Sequence, residues 1–206
     1  MSGSTPAAGD PGPVHANIQR VTAHAAAHGI AVAVRRFAGT TRTAEDAAAR
    51  IGCDVAAIVK SLVFLADGAP VVALCSGADR VDVERLRQAT GAGTVRRATA
   101  DEVKAATGFP IGGVAPFGHR TACAVFADQR LLAQPTVWAA AGLPDAVFEI
   151  APEALVRASG GHLVEIASRS LTPRPRPVPA RRSWPDPGRR LGQSCRIAEL
   201  ANRAVQ

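Results

Sequence analysis

The sequence predicts a mixed α/β domain of the α+β kind, in which short strands paired by hairpins are interrupted by helices. Three observations predict it. Apolar residues alternate with polar ones, or run continuously, over several short stretches of strand length. The stretches between them open on capping residues and close on glycine, as helices do. The chain has 206 residues, enough for one domain with a real core, and shows no internal repeat.

The elements follow in order. Val14, Ile18, Val21 and Ala25 fall at helical spacing, with Gly29 placed as a C-terminal stop. Ile30 to Phe37 reads as a strand with branched residues at alternate positions. Thr43-Ala44-Glu45-Asp46 resembles a capping box, aspartate replacing the usual Glu or Gln, and opens a helix to Ile51 that stops at Gly52. Asp54 caps a further short turn. Val59–Leu65 and Pro70–Cys75 flank Asp67-Gly68, a hairpin with a turn of about four residues. Asp82 begins a helix through Leu86 to Thr90, closed by Gly91. Thr99 to Glu102 is a full capping box, and its helix ends at Gly108. Arg120 to Ala127 alternates as a strand and ends at Asp128. Thr136 to Ala141 fits strand or helix, and periodicity does not decide. After the Gly142–Asp145 turn come a strand at Ala146–Ile150, a helix from Pro152 to Ser159 closed by Gly160, and a last strand at His162–Ile166. Both faces of such a sheet need cover.

Composition sets the domain limits. Residues 1–13 are rich in Gly, Pro, Ser and Ala and are expected to be a disordered extension. The domain spans 14–167. From 168 to 206 an Arg/Pro-rich tail is expected to be disordered: Pro173, Pro175, Pro177 and Pro179 exclude helix and central strand. A helix at Leu191–Val205 would be too short to stand alone. The net charge of +7 belongs to this tail. Residues 1–168 hold 15 basic and 15 acidic side chains, whereas 169–206 hold nine arginines against Asp186 and Glu199. The domain is therefore not a general polyanion binder by charge. No apolar run approaches the roughly 18 residues of a membrane span, and the N-terminus lacks a secretory pattern, so a cytoplasmic protein is expected. Cys53, Cys75, Cys123 and Cys195 form no CxxC pair, and no metal or other cofactor is expected.

Two features carry candidate chemistry. Thr107 to His119 packs four glycines and two prolines, far beyond what a plain connection needs. Amides beside Gly112-Gly113 would make an anion-binding concavity or polarise a carbonyl, with Pro116 holding the return path. Lys60, one of only two lysines among 24 basic residues, interrupts the apolar run Val59–Leu65. Such an ammonium either contacts a phosphate or carbonyl oxygen or snorkels from an edge strand. His119 is a candidate base, orienter or ribose contact, or simply a half-buried polar residue. His24 and His28 have metal-compatible spacing without a third ligand nearby. Asp128 and Glu149 could orient a partner. No Walker lysine, GxSxG or HExxH is present.

VKSLVF around Lys60 followed by GFPIGGVAPFGH resembles the YbaK/prolyl-tRNA synthetase-associated domain family, small relatives of the editing domain inserted in bacterial prolyl-tRNA synthetases. TAEDAAARIG before the lysine strand and VWAAAGLPDAVFEIAPEAL near the end are similar too, and the resemblance covers residues 14–167. It implies a compact domain with a curved mixed sheet flanked by helices, hydrolysing the ester of wrongly charged tRNA with much of the chemistry supplied by the substrate. It implies catalytic roles for Lys60 and for Gly112, Gly113 and Pro116 of a GxxxP loop. Candidate pocket walls are Phe37, Leu62, Phe109, Ile111, Val114 and Val125, with His119 supporting. The expected substrate is a prolyl-type tRNA carrying a small wrong amino acid. The partner the resemblance implies is the aminoacyl-tRNA 3′ end, with an aminoacyl-tRNA synthetase or elongation factor as further candidates, and no membrane. A non-catalytic module binding tRNA ends or an amino acid stays open, as does nucleic-acid association through the arginine tail.

Overall fold

The computed structural model describes residues 15–39 and 43–169. The expected N-terminal extension and most of the Arg/Pro-rich tail, with Cys195, lie outside the described residues.

The first helix, α1 (Ala16–Ala27), buries Ile18, Val21 and Ala25, the stripe its spacing predicts. Strand β1 (Val34–Arg36) is shorter than the expected Ile30–Phe37. Its length is set by pairing, because only Val34 to Arg36 find partners, on Ala146 to Phe148. Helix α2 (Ala44–Ile51) is capped by Thr43, whose side chain accepts from Asp46 N, and closes on left-handed Gly52. Asp54 caps a 3₁₀ turn at Val55–Ala57.

Strands β2 (Val59–Ala66) and β3 (Ala69–Ser76) form the expected hairpin. Its turn is only Asp67-Gly68, tighter than expected, because both residues take positive φ of 47° and 85° and so fit a two-residue turn. The Asp67 carboxylate accepts from the Gly93 and Thr94 amides. Two strands the sequence did not reveal follow: β4 (Asp79–Val81) and β5 (Val95–Arg97). Between them lies α3 (Val83–Thr90), capped by Asp82. Helix α4 (Ala100–Thr107) has the full capping box, with Thr99 and Glu102 bonded reciprocally. Beyond it come β6 (Ala124–Asp128), β7 (Val137–Ala140), β8 (Ala146–Ile150), α5 (Pro152–Ser159) and β9 (His162–Val164). The ambiguous Thr136–Ala141 stretch is thus strand. A final strand, β10 (Ala167–Arg169), pairs with β4; the sequence reading ended the last strand at Ile166.

The main sheet has the order β5-β2-β3-β6-β9, with β2 antiparallel to β3 and β5, and β3, β6 and β9 parallel. A smaller antiparallel sheet runs β1-β8-β7. The two meet at one parallel bridge, Ile58 with Trp138. Both faces of the main sheet are covered, as a mixed sheet requires. Val59, Val63, Val72 and Leu74 pack with α1, α4 and α5 on one face. Phe64, Ala73 and Phe126 pack with Leu86 of α3 on the other. Among the described residues no helix is long and apolar enough to cross a membrane.

Candidate active site

Strand β2 positions the site because its outer edge is only partly paired. Strand β5 pairs with it from Phe64 to Ala66, and the Ala98 amide adds one bond to Val63 O at 3.1 Å. At the other end β7 packs beside it, and a single parallel bridge just before the strand joins Ile58 to Trp138. Between these, residues 59–62 present an edge that no described strand takes. A cavity of about 320 Å³ opens there. Its walls are β2, the N-terminal turn of α2, the ends of β5 and β7, the Leu143-Pro144 turn, and Ile111, Gly112 and Val114 of the glycine-proline loop.

Lys60 lines this cavity, and its Nζ donates to Gly77 O at 3.1 Å and to Asp79 O. An ammonium has three protons, so one remains for a ligand. The carbonyls orient the group without cancelling its charge. The Asp79 carboxylate pairs instead with Arg130, 3.4 Å away. Gly77 can approach this closely only because it lacks a side chain: a Cβ there would sit 2.4 Å from Val55 O. Arg97 is the second cation on the wall, and its guanidinium makes no ion pair or hydrogen bond among the described residues. Among the described residues no Asp, Glu, His or Cys lines the cavity, so its wall is positively charged. Cys75, opposite Lys60 in the hairpin, is fully buried. Burial above all pushes its thiol up to about 11, so it is no nucleophile at neutral pH.

The loop reaches the cavity by its tip alone. Ile111 is 62% exposed at the mouth, and Gly112 takes φ of +79°. Gly113 was expected to offer its amide to substrate, but that amide donates to Pro110 O at 3.0 Å. Its lack of a side chain serves packing: a Cβ would lie 2.8 Å from the Leu143 backbone. Pro116 is buried behind the wall.

Of the expected wall residues, Leu62, Ile111 and Val114 line the cavity; Phe37, Phe109, Val125 and His119 do not. Phe37 packs on the cluster formed by α2 and Trp138. Phe109 is fully buried, with the Arg20 guanidinium 4.4 Å from its ring centre. Val125 sits on β6, two strands from β2. His119 Nε2 bonds Ala115 O at 2.9 Å; a carbonyl only accepts, so Nε2 carries the proton. Burial, first of all, lowers its pKa, leaving a neutral structural imidazole. His24 bonds Ala158 O and stacks on His28 and Phe117, which ties α1 to its neighbours. The buried Asp128 carboxylate accepts from the Arg130, Ile166 and Ala167 amides, anchoring the chain between β9 and β10. Glu149 lies on β8, outside the cavity wall. Sequence reasoning missed Arg97, Ser61 and the α2 and β7 walls, whose approach depends on sheet pairing rather than on any local pattern.

Residues 38–158 match the family model described as the aminoacyl-tRNA editing domain. The chain belongs to that family. The resemblance read from the sequence is thereby supported. A crystal structure described as that of a candidate trans-editing enzyme for prolyl tRNA synthetase superposes with a TM-score of 0.71 and 36% identity, covering 76% of this chain and 99% of that one. The proline--tRNA ligase of Nitratidesulfovibrio vulgaris (strain DP4) is 38% identical over 89 residues, 43% of this chain. The match spans only 16% of that ligase's length. EbsC of Enterococcus faecalis, named as a candidate Cys-tRNA(Pro)/Cys-tRNA(Cys) deacylase, is 27% identical over 128 residues, 62% of this chain and 78% of EbsC. The editing domain here thus combines a cationic cavity at a β-strand edge with a mixed sheet covered on both faces.

Proposed function

We propose that this chain is a trans-editing deacylase that hydrolyses mischarged aminoacyl-tRNA, a prolyl-type tRNA carrying a small wrong amino acid. One observation carries the reading: the Lys60 ammonium is held by two carbonyls, with no carboxylate partner among the described residues, on the wall of a small cavity. A point charge so placed suits the terminal phosphate or the ester oxygen of a charged tRNA. Among the described residues the wall holds no His, Asp or Glu to act as base and no Cys to act as nucleophile, which fits hydrolysis assisted by the substrate itself. Water adds to the ester carbonyl, the bond to the ribose oxygen breaks, and that oxygen takes up a proton. A ribose hydroxyl or the amino acid's side chain orients the water. Lys60 stabilises the charge that develops on oxygen. The prolyl assignment draws on the names of the relatives above.

The test is a panel of mischarged tRNAs, alanyl-, seryl- and cysteinyl-tRNA(Pro), offered to the wild type and to Lys60→Ala. The wild type should clear at least one ester well above the buffer rate, and Lys60→Ala should lose about a hundredfold or more in kcat/KM. If no ester is cleared faster than in buffer, the enzyme reading fails. The absence of a base on the wall also favours a second reading, a module that holds tRNA ends without turnover; binding without hydrolysis would support it.

A further inference from the structure

Asp79 meets two cations. Its main-chain carbonyl accepts from Lys60 Nζ, while its carboxylate lies 3.4 Å from Arg130 Nη1. That carboxylate is only 13% exposed and accepts no hydrogen bond among the described residues, so it depends on a nearby positive charge. An aspartate carboxylate stands one carbon off its own main chain and turns about χ1 among three staggered positions. It therefore swings close to an ammonium bonded at its own carbonyl, and Lys60 becomes its partner if Arg130 is taken away. Arg130 belongs to the 3₁₀ turn Gln129–Ala133 after β6 and does not line the cavity. Its Nη1 is shut off from solvent and makes no hydrogen bond, so charge and not hydrogen-bond geometry joins it to Asp79. A buried donor left without a hydrogen bond is costly, and a methionine would fill the same space without that cost. The guanidinium pairs with no other carboxylate among the described residues.

We propose that Arg130 is a positioning residue that holds the Asp79 carboxylate off Lys60 and so keeps the ammonium's charge for the substrate. It acts through Asp79 and touches no reacting atom. With Arg130 in place the lysine has two neutral carbonyls as partners, which orient it and leave its charge to an ester or phosphate oxygen. Without Arg130 the carboxylate becomes the counter-ion of Lys60, and the pair offers an incoming anion little net charge. This assignment deepens the deacylase reading and rests on it.

The experiment is a double-variant cycle on the full chain: Arg130→Met, Asp79→Asn and the two together. Each is measured for kcat/KM on the ester the wild type clears fastest, for Kd toward uncharged tRNA(Pro), and for its melting curve, with Arg130→Gln replacing a methionine variant that does not fold. Arg130→Met should lose about tenfold in kcat/KM, and Arg130→Lys, which keeps the cation, should retain most of the rate. Asp79→Asn and the double variant should run at the same rate, above that of Arg130→Met, because Arg130 has no task once the carboxylate is neutral. A merely structural arginine would lower the rate equally with and without Asp79→Asn. That outcome, or full activity in Arg130→Met, overturns the assignment and leaves the deacylase reading standing. A wild type that clears no ester ends the deacylase reading, and the same cycle read in Kd then decides the assignment. A wild type that also fails to bind the tRNA overturns both.

Discussion

Lys60 and Gly77 depend on each other. The carbonyl of Gly77 takes one proton of the ammonium, and Gly77 fits only because nothing stands where its side chain would be. A Cβ would meet Val55 O at 2.4 Å and the Cβ atoms of Ala44 and Ile58 at 3.0 Å. Two of these neighbours line the cavity. Gly77→Ala should therefore cost about 1–3 kcal/mol of stability and displace the lysine as well. Melting curves and kcat/KM should fall together, and an unchanged kcat/KM would separate this turn from the site. Lys60→Arg should not rescue Lys60→Ala, since a planar fork cannot satisfy two carbonyls placed for a compact ammonium. Recovery of more than about half the wild-type rate would show that charge alone suffices.

At the scale of elements, the cavity exists because the glycine-proline loop and the turn after β7 press together. Gly113 lies against the Leu143 backbone, and Gly142 against Asn17 and Phe109, where an added Cβ would come within 3.0 Å. Gly113→Ala should push these two segments apart, since backbone cannot swing aside as a flexible side chain can. The expected result is a wider cavity with weaker discrimination between small and larger esters, read as the ratio of kcat/KM for alanyl- and prolyl-tRNA. Asp128 works at the same scale without touching the cavity. Its carboxylate gathers amides from Arg130, Ile166 and Ala167, so Asp128→Ala strands buried donors and should cost roughly 1–3 kcal/mol. The rate per folded molecule should hold, which urea titration beside an activity assay would check.

For the whole molecule, pH and salt are the useful levers. The folded-state pKa of His119 lies below its ordinary value because the ring is buried. The unfolded chain then binds more protons than the folded one as pH falls below about 6.5, the usual histidine value, and stability declines in that direction. His119→Gln should flatten this slope; an equal slope would place its origin elsewhere. In stronger acid Glu84 and Glu102 contribute, each held at about 2 chiefly by hydrogen bonds from Arg87 and Arg96 respectively. Their contribution is complete above the ordinary carboxylate value and disappears as pH falls toward 2. Charge along the chain predicts the salt response. Residues 173–206 carry eight arginines against two carboxylates, so removing them should reduce the slope of log affinity for tRNA against log salt. An unchanged slope would place the phosphate contacts on the domain.

Local chemistry alone determined much of this protein. The caps at Thr43, Asp54, Asp82 and Thr99, and the glycine stops at 52, 91, 108 and 160, appear where short-range hydrogen bonds and backbone sterics put them. Lys60 was legible because a charge inside an apolar strand is costly whatever the fold. Strands β4, β5 and β10, each of three residues, were not legible. Their stability comes from partners distant in sequence: Val81 finds Ala167 and Phe64 finds Arg97 only once the chain has folded. The cavity walls divide the same way. Local composition marked the 107–119 loop as shaped, but whether an apolar residue lines a cavity or fills a core depends on which strand lies beside it. Phe109 and Val125 became core, while Arg97 and Ser61 reached the cavity, because the outer edge of β2 is left unpaired over residues 59–62. That gap is a property of the sheet, and only the tertiary structure could decide it.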